Sequence, residues 1–446
     1  MKMLILSIIA LVCAGCAVAG AKRPPPAEPS GAPYDWKATR APERPYLLSY
    51  DQSLVMKLFL AEKANGGQAC KVHLTFEQAL EVIRRLDIIT CGAPKIIYLV
   101  GWQYNGHDSK YPAWSEVNAR LKRPQDKTAL DSLNWLMREA RQYHTIVSLH
   151  INMFDAYADS PLWPEYLAKD VIAKDKQGKP LAGETFDGQS SYQISYAREW
   201  ETGLARQRID GLLAMLPELK KAKTLHIDAF HSRAPVRRNE STISPYLGYS
   251  IEKETAAQRQ IFRYFRDQGI DITSEGATFL RIDWFVGLQP MAWVHDWPDN
   301  AGIPQRLLCS TPMRAEQEIK KDPKGLAGLQ EIFCTRAAPW LWSNDLAHAD
   351  DSKAPQAVDW ARVKQGEDVC YPLPWTPKKS LIAYSKAGCA TRTWQLPPDW
   401  RKVTQAKLKK IAPDGSAVTA AGTAELQDGK LTLSLQPGEA MLIEAK

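Results

Sequence analysis

With 446 residues, 45% hydrophobic and 24% charged, the chain has a globular composition and enough length for one large domain and a smaller one, so wholesale disorder is excluded. Its 57 Lys+Arg against 50 Asp+Glu form no basic tracts, which argues against a dedicated nucleic-acid binder. Trp outnumbers Phe, 15 to 10, and indole faces suit sugar-stacking surfaces as well as cores.

Residues 1–19 read as a bacterial export signal, in which Lys2 precedes an apolar run from Leu4 to Val12 that is too short to span a bilayer. Two processing outcomes are open: a lipoprotein anchored through Cys16, or release after Ala17-Val18-Ala19. Either gives an exported protein of the cell envelope or periplasm, touching a membrane only through a lipid. Residues 20–45 are a Pro-rich tether. Export permits disulfides, and the sequence-neighbour pairs Cys70 with Cys91 and Cys370 with Cys389 are the simplest choice, with buried thiols as the alternative.

From residue 46 to 375 strand-like and helix-like patterns alternate. A strand over 54–60 precedes a helix opened by Thr75, with Gln78 completing a capping box. Strands at 95–101, 145–151, 224–230 and 270–275 follow, separated by helices near 129–143, 198–216 and 251–267. This order predicts an α/β fold with a parallel sheet, a (β/α)8 barrel of the TIM type with its site at the carboxyl ends of the strands. Residues 376–446 read as short alternating strands with Asp-Gly turns, a small antiparallel β-sandwich.

Four strands run straight into polar residues: GWQYNGHDS, HINMFDAY, HIDAFHS and TSEGA. At the mouth of a barrel they collect His107, Asp108, His150, Asn152, Asp155, His226, Asp228, His231 and Glu275. Asp228 and Glu275, ending consecutive strands, are the two carboxylates suited to glycoside hydrolysis with retention, Asp228 as nucleophile and Glu275 as acid/base. Trp102, Trp114, Trp284, Trp293 and Trp297 are the candidate sugar platforms, Trp102 the best placed. Arg233, Arg237 and Arg238, in the loop 232–249, read as a solvated run or as contacts to an anionic sugar.

The segments GWQYNGHDS (101–109), HINMFDAY (150–157) and HIDAF (226–230) resemble the catalytic barrel of glycoside hydrolase family 101, the endo-α-N-acetylgalactosaminidases, over roughly residues 46–300. That family, and the related family 129, implies an Asp nucleophile and a Glu acid/base at Asp228 and Glu275. It also implies that Asp108 with His107, and Asn152, hold sugar hydroxyls. Family 101 enzymes are typically much longer, with added sugar-binding modules, so a single terminal α-linked GalNAc or galactose suits this chain as well as a disaccharide does.

The expectation is a retaining α-N-acetylgalactosaminidase-like hydrolase of mucin-type O-glycans or related α-glycosides, needing no cofactor or metal. One alternative is a metal-dependent barrel hydrolase using His107, His150, His226 and Asp228. The other is a surface lipoprotein that binds glycans without cleaving them.

Overall fold

A computed structural model describes residues 34–230, 243–275, 285–292, 303–309, 326–349 and 364–446. The export signal, Cys16 and most of the tether lie outside these residues. So do His231, Trp284, Trp293, Trp297 and the three loop arginines. Among the described residues no helix is long and apolar enough to cross a membrane.

The core sheet has six parallel strands. β1 (Leu54–Phe59), β4 (Lys95–Val100), β5 (Thr145–Asn152), β9 (Thr224–Asp228), β10 (Asp271–Glu275) and the two-residue β11 (Met291–Ala292) lie side by side in that order. One face is apolar: Met56, Leu58, Ile97, Leu99, Leu149, Ile151, Ile227 and Ile272 join the main core with residues from the flanking helices. The helix Phe76–Ile89 supplies Phe76, Ala79, Val82, Ile83 and Leu86 to that core. Its start is fixed by the expected capping box, Thr75 Oγ1 accepting from Gln78 N at 3.3 Å and Gln78 Oε1 from Thr75 N at 2.9 Å. The helix Ile251–Asp267 buries Ile261, Phe262 and Phe265 in the same way. Each such side chain contributes about 1.5–3 kcal/mol through removal from water.

The other face packs Val55 and Ile96 into a smaller core at its amino end, is polar toward its carboxyl end, and curls inward. Register pairs Lys57 with Tyr98, Tyr98 with Ser148, His150 with His226, His226 with Thr273 and Asn152 with Asp228, which puts these side chains on one side of the sheet. Lys57 on β1 nevertheless bonds Glu275 on β10. In a flat sheet those strands would stand about 19 Å apart, four spacings of about 4.8 Å, far beyond the joint reach of two side chains. The ion pair therefore requires a deep trough. Six of the expected eight parallel strands are present among the described residues, with an isolated parallel bridge from Met291 to Leu308 extending the edge.

Two antiparallel inserts rise from the carboxyl edge, and sequence reading placed neither. The hairpin β2 (Ala61–Ala64) and β3 (Ala69–Val72) follows β1 directly. Three short strands, β6 (Asp155–Ala156), β7 (Ala182–Phe186) and β8 (Gln189–Gln193), follow β5 in the order β6-β8-β7. The helix expected near 198–216 is two helices, Tyr196–Glu201 and Leu204–Met215, broken at Thr202 and Gly203.

The C-terminal strands hydrogen-bond into an eight-stranded antiparallel sheet that encloses a core of its own. It comprises β12 (Lys364–Gln365), β13 (Asp368–Pro372), β14 (Ser380–Ser385), β15 (Cys389–Gln395), β16 (Gln405–Ile411), β17 (Val418–Gln427), β18 (Lys430–Leu435) and β19 (Glu439–Ala445). Its order is β12-β13-β14-β19-β16-β17-β18-β15, and it begins upstream of residue 376. In β14, Leu381 and Ala383 face a separate core with Trp394, Trp400, Leu431 and Ile443, while Ile382 and Tyr384 join the main core. Having two apolar faces, the strand binds this sheet to the rest of the protein. The Asp-Gly turn appears where expected, with Asp428 and Gly429 both at positive φ between β17 and β18. All six cysteines among the described residues are free thiols, so neither expected disulfide forms.

Candidate active site

The site sits where the polar face meets the carboxyl edge, and its residues grade from wet to dry. Side chains of Glu275, His107, Asp228 and Asp108 retain 36%, 24%, 17% and 16% of their exposure and form the mouth. Asp155, His150, Asn152 and His226 lie behind them, buried.

Asp228 ends β9. His150 Nε2 approaches its Oδ1 at 3.5 Å and Asn152 Nδ2 its Oδ2 at 3.5 Å. The same Asn152 nitrogen donates to Asp155 Oδ2 at 2.9 Å, so one amide bridges two carboxyl groups. Its orientation is fixed from the other end, because Asn152 Oδ1 accepts from the backbone N–H of Phe154 and Asp155, both at 2.7 Å. After Asp228 the chain turns through Ala229 at φ 50°, a left-handed conformation that costs an alanine about 1–2 kcal/mol.

The loop after β4 that carries His107 and Asp108 is strained as well. Tyr104, Asp108 and Lys110 all have positive φ. Gly101 and Gly106 admit no side chain, because a Cβ on either would collide with the backbone of Ala61 on β2. The loop is thus pressed against β2, with His107 N donating to Ala61 O at 2.9 Å.

Burial and charge set the protonation states. Burial pushes His150 down to about 4 and His226 well below the usual histidine range, so both are neutral near pH 7. Burial pushes Asp155 up to about 7, reinforced by the charges of Asp108 and Asp228. It also raises Asp108, against the pull of His107. At Asp228 burial acts in the same upward direction, but His150, Lys57 and His107 outweigh it and hold the carboxyl well below its usual range. Near pH 7 the site therefore combines an ionised Asp228 with a neighbouring carboxyl that retains its proton part of the time.

Glu275 ends β10. The parallel ladder with β9 ends at Ser274 opposite Ile227, so Glu275 and Asp228 occupy adjoining positions one residue further on, each at the carboxyl end of its strand. Glu275 accepts a hydrogen bond from Lys57.

The structure moves several expected residues to other roles. Trp102 is wholly buried and donates from Nε1 to His150 O at 2.9 Å, so it secures β5 from within the core and offers no sugar platform. Trp114 is buried under the Arg208 guanidinium, 4.2 Å from its ring centroid. His226 is wholly buried between Tyr98 and His150, with ring centroids at 5.2 and 5.3 Å, and supports the layer above it without reaching the mouth. His107, His150 and Asp228 each offer a ligand atom within 4.8 Å of the others; among the described residues this trio alone has such spacing.

Sequence reading missed Lys57, Lys63 and Arg208. Lys57 had a signal, a lone charge inside the apolar run LVMKLF. Arg208 had none: from the helix Leu204–Met215 its Nη1 donates to Pro112 O at 3.1 Å and Asn152 O at 3.3 Å, while Nη2 pairs with the buried Glu199 Oε1 at 2.6 Å. It braces the chain segments that hold the site.

Residues 63–280 match the family model described as Glyco_hydro_101, endo-alpha-N-acetylgalactosaminidase. This segment is glycoside hydrolase family 101-like. It spans just under half of the 446 residues and includes every mouth residue named above, while Lys57 lies upstream of it. No curated protein matches the chain. Among solved structures, the alpha-N-acetylgalactosaminidase NagBb from Bifidobacterium bifidum, in complex with GalNAc, is 13% identical at TM-score 0.43 over 57% of this chain and 38% of that one. The alpha-galactosidase TtGalA from Thermus thermophilus, with stachyose, is 19% identical at TM-score 0.32 over 48% and 40%. An alpha-amylase from Geobacillus thermoleovorans, with acarbose, is 10% identical at TM-score 0.47 over 90% and 99%. These are loose likenesses, and the chain spans about two fifths of the length of the first two enzymes.

Proposed function

We propose that the protein is a retaining α-glycoside hydrolase acting on α-linked GalNAc or galactose, mucin-type O-glycans included. The observation that carries this reading is Asp228, held ionised and placed beside Glu275 at adjoining strand ends within the family 101-like segment. Neighbouring strands stand about 4.8 Å apart, compatible with the roughly 5–5.5 Å between carboxyl groups that retention uses. Asp228 attacks the anomeric carbon and Glu275 protonates the departing oxygen, then takes a proton from the incoming water. In the free protein Glu275 accepts from Lys57, so to act as an acid it has to exchange that partner for the glycosidic oxygen. By the family resemblance, His107 and Asp108 hold sugar hydroxyls, whereas Asn152, wholly buried with its amide bonded to Asp155, Asp228 and two backbone N–H groups, positions the carboxylates instead. The six parallel strands and the curl of the sheet support a closed (β/α)8 barrel as the full architecture. Export, with a lipid on Cys16, remains part of the proposal.

The test is turnover of aryl α-GalNAc and α-galactoside substrates by wild type, Asp228→Asn and Glu275→Gln. Asp228→Asn abolishes turnover. Glu275→Gln slows substrates with poor leaving groups far more than activated aryl glycosides, and equal losses on both would refute its role. Proton NMR of the first-formed product shows the α anomer.

The spacing of His107, His150 and Asp228 favours a second reading, a bound divalent ion. Nδ1 of both histidines is buried without a hydrogen-bond partner. Tetrahedral zinc, with ligands at about 2.0–2.1 Å, needs ligand atoms about 3.4 Å apart, so a separation as wide as 4.8 Å would have to close on binding.

A further inference from the structure

The two hairpins that sequence reading missed meet above the site. At their tips, Gly66 N donates to Asp187 Oδ2 at 3.0 Å. Lower down, Lys63 Nζ on β2 donates to Gln189 Oε1 on β8 at 3.0 Å and lies 3.6 Å from the Tyr157 ring centroid. The loop after β4 joins them, with Asn105 Nδ2 donating to Gly67 O at 2.9 Å. The bases of both hairpins reach site residues: β2 carries Ala61 O, which binds His107 N, and β8 pairs Gln193 with Asp155. A continuous circuit therefore runs from Asp155 along β8 to Gln189, across to Lys63, and down β2 to His107 and Asp108. Lys63, 5% exposed, stands within the field of both Asp108 and Asp155.

The circuit stands on one side of the site. Asp108 follows β4 and Asp155 begins the insert after β5, whereas Asp228 and Glu275 end β9 and β10. If Glu275 protonates the leaving oxygen, the aglycone departs on the β10 side. The far hydroxyls of the bound sugar then face the β4 and β5 side, where the hairpins are clasped.

We propose that this clasp closes the non-reducing side of the site, so that the enzyme removes one terminal α-linked sugar and excludes a sugar bearing a further residue. Asp187 and Gln189 act as specificity determinants that do not touch the reacting atoms. The inference rests on the glycosidase reading above and deepens it.

The experiment compares kcat/KM for para-nitrophenyl α-GalNAc with that for the same glycoside extended by a β-linked galactose on the GalNAc, identifying products by mass spectrometry. Wild type releases free GalNAc from the first and prefers it by about a hundredfold or more. The separate variants Asp187→Ala and Gln189→Ala, both at the rim, raise turnover of the extended glycoside about tenfold and leave the simple one within about twofold. Release of the intact disaccharide by wild type at comparable kcat/KM overturns the clasp while leaving the glycosidase reading in place. So does an unchanged substrate ratio in both variants with an unchanged melting temperature. Turnover of neither glycoside overturns the glycosidase reading, and the clasp with it.

Discussion

Replacing Arg208 with Met separates what this residue does for stability from what it does for the site. Glu199 is wholly buried, its Oε1 bound by Arg208 Nη2 at 2.6 Å and by Tyr166 OH at 2.7 Å. Removing the guanidinium strands that carboxylate, which costs about 3–5 kcal/mol for a buried pair broken on one side. Burial already pushes Glu199 up, and without Arg208 it takes a proton. The double variant Arg208→Met/Glu199→Gln removes the stranded charge, keeps an acceptor for Tyr166, and is expected to recover more than half of the loss. Urea unfolding of wild type, both single variants and the double variant measures the coupling directly. Activity follows a different course. The carbonyls of Pro112 and Asn152 lose their donor in the single and double variants alike, so kcat/KM stays depressed by about tenfold or more in both. A double variant no more stable than Arg208→Met, or one that regains full activity, would refute the bracing role.

Lys57→Met removes a cation that helps hold Asp228 low, so the acidic limb of the kcat/KM profile moves to higher pH; an unmoved limb would place Lys57 outside the nucleophile's field. Glu254 is buried, accepting from Ser195 Oγ at 2.7 Å and Ala197 N at 2.9 Å, and burial pushes it up to about 7. Because its folded value lies above its unfolded one, its burial costs nothing below about pH 4 and progressively destabilises the fold as pH rises to about 7, by about 3 kcal/mol in full. Glu254→Gln is therefore expected to raise the melting temperature at pH 8 relative to wild type more than at pH 4, as read by calorimetry at both pH values. Protein purified without chelator and then treated with EDTA keeps its activity under the two-carboxylate reading; loss of activity restored by one divalent ion would favour the metal at His107, His150 and Asp228.

Much of this architecture was legible because it is local. The alternation in TIVSLHIN, TLHID and DITSE sets Ser148, His150, Asn152, His226, Asp228, Thr273 and Glu275 on one face and Leu149, Ile151, Ile227 and Ile272 on the other, a period-two pattern that any chain order preserves. The capping box at Thr75 and the turn at Asp428 are likewise contained within a few residues. Relations between distant segments were not legible. Trp102 reads as an indole beside a strand end, and only the position of His150 O, 48 residues on, turns it inward. Lys57 and Glu275, 218 residues apart, meet because the sheet curls, and no local pattern encodes curvature. The hairpins are held by single contacts such as Lys63 to Gln189, 126 residues apart. Residue type and period settled which side chains could do chemistry and which way each strand would face. Tertiary packing alone decided which of them meet, which are dry, and what stands over the mouth, because burial and charge depend on neighbours that sequence order does not name.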